Sequence, residues 1–268
     1  MRADATDRTN RAARWLVRQH LEKTPSRHMP AVLAPRDMKE AYAVQDAFVA
    51  LKARDCGDVA GHKIALTTSR MRDMVGLSAP IAGQLHARQL VRGPASVRAL
   101  DYGRLVVEFE VAVRMKADLP TPRASYSAEE VAAAVDAVMP AFELADDRSA
   151  DYATLASRGL ELAADNAWTE GAVLGEPTTN WRSIDLATLR GTAFVNDELV
   201  GEGYGADSMG HPFTALTWVA NHLARRGQAL RGGDVVITGS LVTSKFPQAG
   251  DRLRFDAGAL GAVELQVT

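Results

Sequence analysis

The 268 residues, 47% of them hydrophobic, suffice for one sizeable core or for a core with a helical appendage. A formal net charge of -2, with no long block of Lys and Arg, excludes the basic stripe that a nucleic-acid surface needs. No apolar run reaches the roughly 18 residues of a membrane span, the polar stretch from Met1 to Asn10 lacks the apolar segment of a secretion signal, and the lone Cys56 excludes an intrachain disulfide, so a soluble protein of the reducing cytoplasm is expected.

Two helices are predicted first. Ala12, Trp15, Leu16 and Leu21 recur at near-helical spacing over 11–21, and after a Pro-containing break at 24–35 the pattern resumes over 37–54. Cys56-Gly57-Asp58 is a turn, which sets a helical N-terminal region, 1–60, apart from a domain at 61–268. Residues 62–67 are short and apolar enough for a strand, and 69–75 read as a short helix. Residues 105–115 alternate strongly between apolar and polar and form the clearest predicted strand. Ser127 suits the N-cap of a helix over 127–138, with Glu129 and Glu130 in its first turn. Strands are expected at 140–144, 172–175 and 192–200, the last with a hairpin turn at Asn196-Asp197. An amphipathic helix follows at 212–225, with Leu216, Val219, Ala220 and Leu223 on one face and Gly227 just past its end. Residues 234–239, 251–255 and 262–267 are strand-like pieces between Gly-rich turns. Strands and helices do not alternate regularly, so the order predicts an α+β architecture with a mixed, curled sheet rather than a doubly wound parallel one.

The predicted strand at 105–115 carries the main chemical signal. Side chains alternate along a strand, so Glu108 and Glu110 project side by side from one face while Val107, Phe109 and Val111 project from the other. Two carboxylates about 7 Å apart repel unless a positive charge lies between them. An exposed Glu-x-Glu explains itself as a solvated face, but these flanks are apolar, and a third acid, Glu143, sits in the equally apolar segment Met139 to Ala145. Acids in such surroundings are paired or bound to a metal, and an all-carboxylate set suits Mg²⁺, Mn²⁺ or Ca²⁺. Lys63, inside the apolar run Gly61 to Leu66, reads either as a snorkelling surface lysine or as an active-site cation. His62, His86, His211 and His222 show no metal-ligand spacing, and the glycines of Gly201 to Gly205 read as turns rather than as a dinucleotide-binding loop. Ser240 lacks the glycine flank of a nucleophile elbow; the Thr238-Gly239-Ser240 turn is expected to line the pocket opposite the carboxylates, with hydroxyl and backbone donors.

Taken in order, these segments resemble a known group. Gly61-His62-Lys63-Ile64-Ala65-Leu66-Thr67, then Gly76, Pro80 and Gly83, Glu108-Phe109-Glu110, Glu143 through Arg148, Ala164-Asp165-Asn166-Ala167, and the stretch from Gly210 to Leu241 are similar to the 2-keto-4-pentenoate hydratase and 4-oxalocrotonate decarboxylase group of the fumarylacetoacetate hydrolase superfamily. The resemblance implies a mixed β-roll with a helical N-terminal region, and Mg²⁺ or Mn²⁺ held by Glu108, Glu110 and Glu143. It also implies a catalytic role for Lys63, substrate contacts at Leu85, Asn166, Thr238 and Ser240, a small 2-keto or 2-hydroxy acid as substrate, and a homo-oligomer. Two positions depart from the pattern. Ile81 stands where the hydratases commonly carry an Asp, and Trp168 where they commonly carry a Ser. The resemblance therefore implies a lyase, with poor hydration of the simplest 2-hydroxypentadienoate and less impaired decarboxylation of a 2-keto acid bearing a second carboxylate. The alternatives are an acylpyruvate hydrolase, for which no N-terminal His-Glu pair is evident, and a silent partner of an active paralogue.

Overall fold

In the computed structural model, which describes residues 2–120 and 125–268 and leaves Met1 and residues 121–124 outside it, the chain opens with two helices, α1 (Arg2–Leu21) and α2 (Met38–Cys56). α1 begins well ahead of residue 11 because its first turns are polar and carry no apolar period. Asp37 caps α2 by accepting a hydrogen bond from the Glu40 amide. There follow β1 (Val59–Ala65), α3 (Ser69–Val75), β2 (Ile81–His86), β3 (Leu90–Arg92), β4 (Ala95–Val97) and β5 (Leu105–Met115). Next come α4 (Ala128–Ala133), β6 (Val135–Asp146), α5 (Gly159–Ala164), β7 (Thr169–Leu174), β8 (Arg190–Val195) and β9 (Glu198–Tyr204). The chain ends with α6 (Pro212–Arg225), β10 (Val235–Lys245), β11 (Arg252–Asp256) and β12 (Ala262–Val267).

The strands form a seven-stranded sheet, β2-β1-β10-β5-β6-β7-β3, and a five-stranded sheet, β4-β12-β11-β8-β9. Both are mixed: β1 runs parallel to β10, β3 to β7 and β4 to β12, while the remaining pairs are antiparallel. This is the α+β, mixed-sheet arrangement that the element order predicts. Phe109 of β5 meets Phe142 of β6 and Phe255 of β11 edge to face, at ring-centroid distances of 5.4 and 5.7 Å, and so centres the main core between the sheets. Burying that odd-numbered face turns the even-numbered face of β5 away from the core.

Two predicted elements change. The helix at 127–138 stops at Ala133, and the valine-rich run beyond it joins β6, which pairs with β5 along its length from Met115↔Val135 to Leu105↔Asp146. Gly201 to Gly205 are not simply turns, because β9 reaches Tyr204. A Cβ on Gly203 would sit 1.9 Å from the Leu241 carbonyl oxygen, so the glycine permits the close approach of β9 to β10. The hairpin at Asn196-Asp197 forms with both residues at positive φ, 51° and 66°. No helix among the described residues is long and apolar enough to cross a membrane.

The N-terminal helices share an apolar cluster with later residues such as Leu66, Val75, Ile81, Leu155 and Leu162. A buried ionic network pins them further. His20 on α1 contacts Asp165 Oδ1 through Nε2 at 2.7 Å and Glu170 Oε1 through Nδ1 at 2.9 Å. Lys52 on α2 reaches Glu170 at 2.7 Å, and the Arg148 guanidinium reaches Asp165 Oδ2 at 2.6 Å. Burial alone would lower the pKa of His20, but Asp165 and Glu170 outweigh it and hold the imidazole above its ordinary value. A group with a raised native pKa contributes stability that is complete below its unfolded value, about 6.5, and lost as pH rises through the native one. The stability gap between the native chain and His20→Gln is therefore expected to narrow between pH 6 and pH 9, a range in which Glu170, held at about 2, stays ionised. Urea unfolding at both pH values measures it; a gap that does not change with pH contradicts the assignment.

Candidate metal centre and substrate cleft

The register of β5 on β6 sets Glu108 directly opposite Glu143, and Glu110 lies two residues along on the same face. One carboxylate oxygen from each lies within 4.8 Å of the others. Glu110 and Glu143 are 0% exposed, while Glu108 is half-buried at the edge of an open cleft. Lys63 on β1 is 2% exposed, and its Nζ lies 3.0 Å from Glu143 Oε1, so the side chain is a buried cation paired with the carboxylate face rather than a surface lysine.

A break in β10 completes the group. The pairing of β10 with β5 shifts between Ile237 and Ser240, and there Gly239 adopts a φ of +104°. That turn aims its amide at Glu110, with the nitrogen donating to Oε2 at 2.6 Å. The neighbouring hydroxyls replace ladder bonds that the bulge removes. Thr238 Oγ1 donates to the Val111 carbonyl at 2.8 Å, and Ser240 Oγ accepts from the Phe109 amide at 3.0 Å and donates to the Val242 carbonyl at 2.7 Å. Ser244, four residues beyond Ser240, donates to Glu108 Oε1 at 2.7 Å. Sequence reasoning missed this contact, and the register shifts of β10 between Ser240 and Lys245 leave strand parity no guide to it.

The cleft wall at this end comprises Lys63, Glu108, Glu143, Gly239, Ser240 and Ser244. Leu85, Asn166 and Thr238 are not among its lining residues. Leu85 is buried beside Ala112, Ala137 and Ile237. Asn166 accepts from the Gln84 amide and donates to the Gln84 carbonyl, both at 2.8 Å, which fastens its turn to β2. Trp168 lines the cleft, whereas Ile81 is fully buried in the apolar cluster with the N-terminal helices.

The electrostatics are unbalanced. Burial raises the Glu110 carboxyl well above its usual range, and its neighbours Glu143 and Glu108 raise it further. Burial also raises Glu143, to about 7, despite the opposing pull of Lys63. The lysine would be discharged by burial, but the three carboxylates more than offset this and raise its pKa. One ammonium thus faces three carboxylates. Glu110 Oε1 and Glu143 Oε2 have no hydrogen-bond partner among the described residues, and Glu143 Oε1 has only the Lys63 ammonium at 3.0 Å. Vacant carboxylate lone pairs and surplus negative charge are what a hard divalent cation satisfies, so the residues present fit Mg²⁺ or a similar ion.

A profile of the fumarylacetoacetate (FAA) hydrolase C-terminal family matches residues 63–268, and the chain belongs to that family. It is similar to 2-keto-4-pentenoate hydratase 1 of Dechloromonas aromatica (strain RCB), with 31% identity over 234 residues and 86% of each chain covered. It is 30% identical over 233 residues to 2-hydroxyhexa-2,4-dienoate hydratase of Comamonas testosteroni, again with 86% of each covered. In structure it is similar to 4-oxalocrotonate decarboxylase from Pseudomonas putida G7 complexed with magnesium and adipate, with a TM-score of 0.88, 26% identity and 98% of both chains covered.

The bulge at Gly239 admits no side chain. A Cβ there would lie 2.6 Å from Thr67 Cγ2 and 3.1 Å from Ser208 Oγ, on a backbone that L-residues rarely adopt. Gly239→Ala is expected to lower stability by about 1–3 kcal/mol. Unfolding in urea checks this, and an unchanged midpoint would show that the bulge relaxes freely.

Proposed function

We propose that the chain is a divalent-metal-dependent lyase that hydrates or decarboxylates a small 2-hydroxy-dienoate or its 2-keto tautomer. In this reading Glu108, Glu110 and Glu143 hold Mg²⁺ or Mn²⁺, and Lys63 is the catalytic ammonium. The observation that carries it is the convergence of three carboxylates, with oxygens within 4.8 Å of one another, beside a single buried lysine. The hydratase names of the sequence relatives and the magnesium of the structural neighbour support it. When bound, the cation would act as a Lewis acid on the carboxylate and 2-oxygen of the substrate. Lys63 Nζ holds a fixed positive charge where negative charge develops on the dienolate, and it is a proton donor at that point. Ser244 orients the Glu108 carboxylate and the Gly239 amide orients Glu110. Ser240 meets the substrate, Asn166 and Thr238 hold the turn and the bulge that shape the cleft, and Leu85 packs behind it. We place the enzyme in the cytoplasm as an oligomer of identical chains.

An acylpyruvate hydrolase would need a histidine–acid pair to activate water. His20 and His28 do contact acids, at 2.9 Å to Glu170 and 3.2 Å to Glu161, but neither histidine lines the cleft. Ile81, inside the apolar cluster, supplies no proton, so weak hydration of unsubstituted 2-hydroxypentadienoate is the expected result with Mg²⁺.

Two measurements test the reading. Millimolar Mg²⁺ should raise the melting temperature of the native chain, and this rise should disappear in Glu143→Gln. Lys63→Met should lose at least about a hundredfold in turnover while the Mg²⁺-induced rise persists. Metal binding without turnover of any dienoate or 2-keto acid would instead favour a silent partner subunit.

A further inference from the structure

The cleft extends well beyond the carboxylates, and its two ends differ in chemistry. The far end is walled by Met71, Met74 and Val75 of α3, Leu155 of the short helical turn Tyr152–Ser157, Leu162 of α5, and Trp168. Two polar side chains, Thr68 and Tyr152, interrupt this surface, whereas Thr67 stands beside Gly239 at the carboxylate end. Thr68 Oγ1 caps α3, accepting from the Met71 amide at 3.3 Å, which leaves its O–H as a neutral donor. The Tyr152 hydroxyl donates to Asp147 Oδ2 at 3.0 Å. Among the described lining residues Lys63 is the only cation, and it is paired with Glu143 at the opposite end.

Cations do lie behind the far wall. Arg27, Arg148 and Arg158 border a small adjoining cavity that shares Val75, Leu155, Leu162 and Trp168 with the cleft. Each is already engaged. Arg148 is held by Asp165 at 2.6 Å, Arg158 donates to the Arg27 carbonyl at 2.7 Å and Ser26 Oγ at 3.0 Å, and Arg27 Nε donates to Gln19 at 3.2 Å. The wall between is fixed. Asn166, Ala167 and Trp168 are three consecutive left-handed residues, with φ of 54°, 50° and 62°, and Asn166 clamps the turn to Gln84. The Trp168 ring then packs edge-on to Tyr152 with centroids 6.3 Å apart.

We propose that this far end selects 2-hydroxy-dienoates and 2-keto acids that terminate in an uncharged apolar group, alkyl or aryl, and discriminates against those that terminate in a second carboxylate. The inference rests on the proposed function in assigning the 2-oxo-acid group to the carboxylate–lysine end, and it narrows that function to hydration, because decarboxylation consumes the second carboxylate that this wall disfavours. A terminal methyl or larger hydrocarbon gains burial against the Met, Leu and Trp side chains. A terminal carboxylate placed there gives up its water for no cation and only for neutral donors, the Thr68 hydroxyl and the Trp168 indole N–H, which is costly for an unpaired charge. Apolar discrimination, by contrast with hydrogen-bonded discrimination, grows gradually with each methylene, so substrates longer than the unsubstituted pentadienoate should be favoured.

The test is a matched pair of six-carbon ligands, 2-oxohexanoate and 2-oxohexanedioate, titrated calorimetrically into the Mg²⁺-loaded full chain with pyruvate as the tail-less reference. The expected result is 2-oxohexanoate tighter than 2-oxohexanedioate by at least about tenfold. Met74 is 38% exposed, so Met74→Arg is tolerable to the fold and places a cation at the wall; relative to pyruvate, it should swing the preference toward the dicarboxylate. Equal or tighter binding of 2-oxohexanedioate by the native chain, with pyruvate bound normally, overturns the inference alone. Decarboxylation of 4-oxalocrotonate with kcat/KM at or above that of alkyl-substituted dienoates overturns it as well. Failure of pyruvate to bind in the presence of Mg²⁺ removes the proposed function and this inference together.

Discussion

The structure is organised around the confinement of three carboxylates on one buried face of two adjacent strands. Such a group cannot stay fully ionised beside a single ammonium without a further cation. Its neighbours are arranged to make the confinement possible. Phe109 and its odd-numbered companions commit the opposite face of β5 to the main core, so the glutamates have no freedom to turn away. The break in β10 supplies an amide to Glu110, and Lys63 reaches in from β1. Removal of one partner from such a set leaves charge stranded in a low-dielectric interior, which is why these groups must act as a unit.

Much of this was legible in the chain. The same-face geometry of Glu108 and Glu110 follows from strand periodicity alone, and the apolar setting of Glu143 marked it as a third member. The limits of β5 and α6 also follow directly from periodicity, because α6 buries one clean face and the odd-numbered apolar residues of β5 all enter the main core. Other features depend on long-range pairing and carry little local signal. The valines after Ala133 extend a helical pattern as well as a strand, and only the neighbouring β5 decides between them. Gly201 and Gly203 look like turn residues until β10 is seen packed against them.

The side-chain hydroxyls and amides were the least legible. Thr238 and Asn166 are polar residues in segments that surround the cleft, and in sequence they are indistinguishable from ligand-binding groups. In space the Thr238 hydroxyl and the Asn166 amide repair backbone hydrogen bonds at a bulge and at a left-handed turn. The His20 network was invisible for a similar reason. His20 is separated from Asp165 and Glu170 by more than a hundred residues, and nothing near it in the chain announces either acid.

The two ends of the cleft are built from different kinds of structure. Glu108, Glu110, Glu143 and Lys63 stand on long strands in the middle of a seven-stranded sheet, where almost every change is felt by the core. The opposite wall comes from α3, α5, one helical turn and a left-handed tripeptide, all short pieces laid over the outside of that sheet. Mutation can therefore reshape the outer wall while the inner one persists. The two ends of the cleft are in this sense mechanically separate, one tied into the sheet and the other hung from its surface.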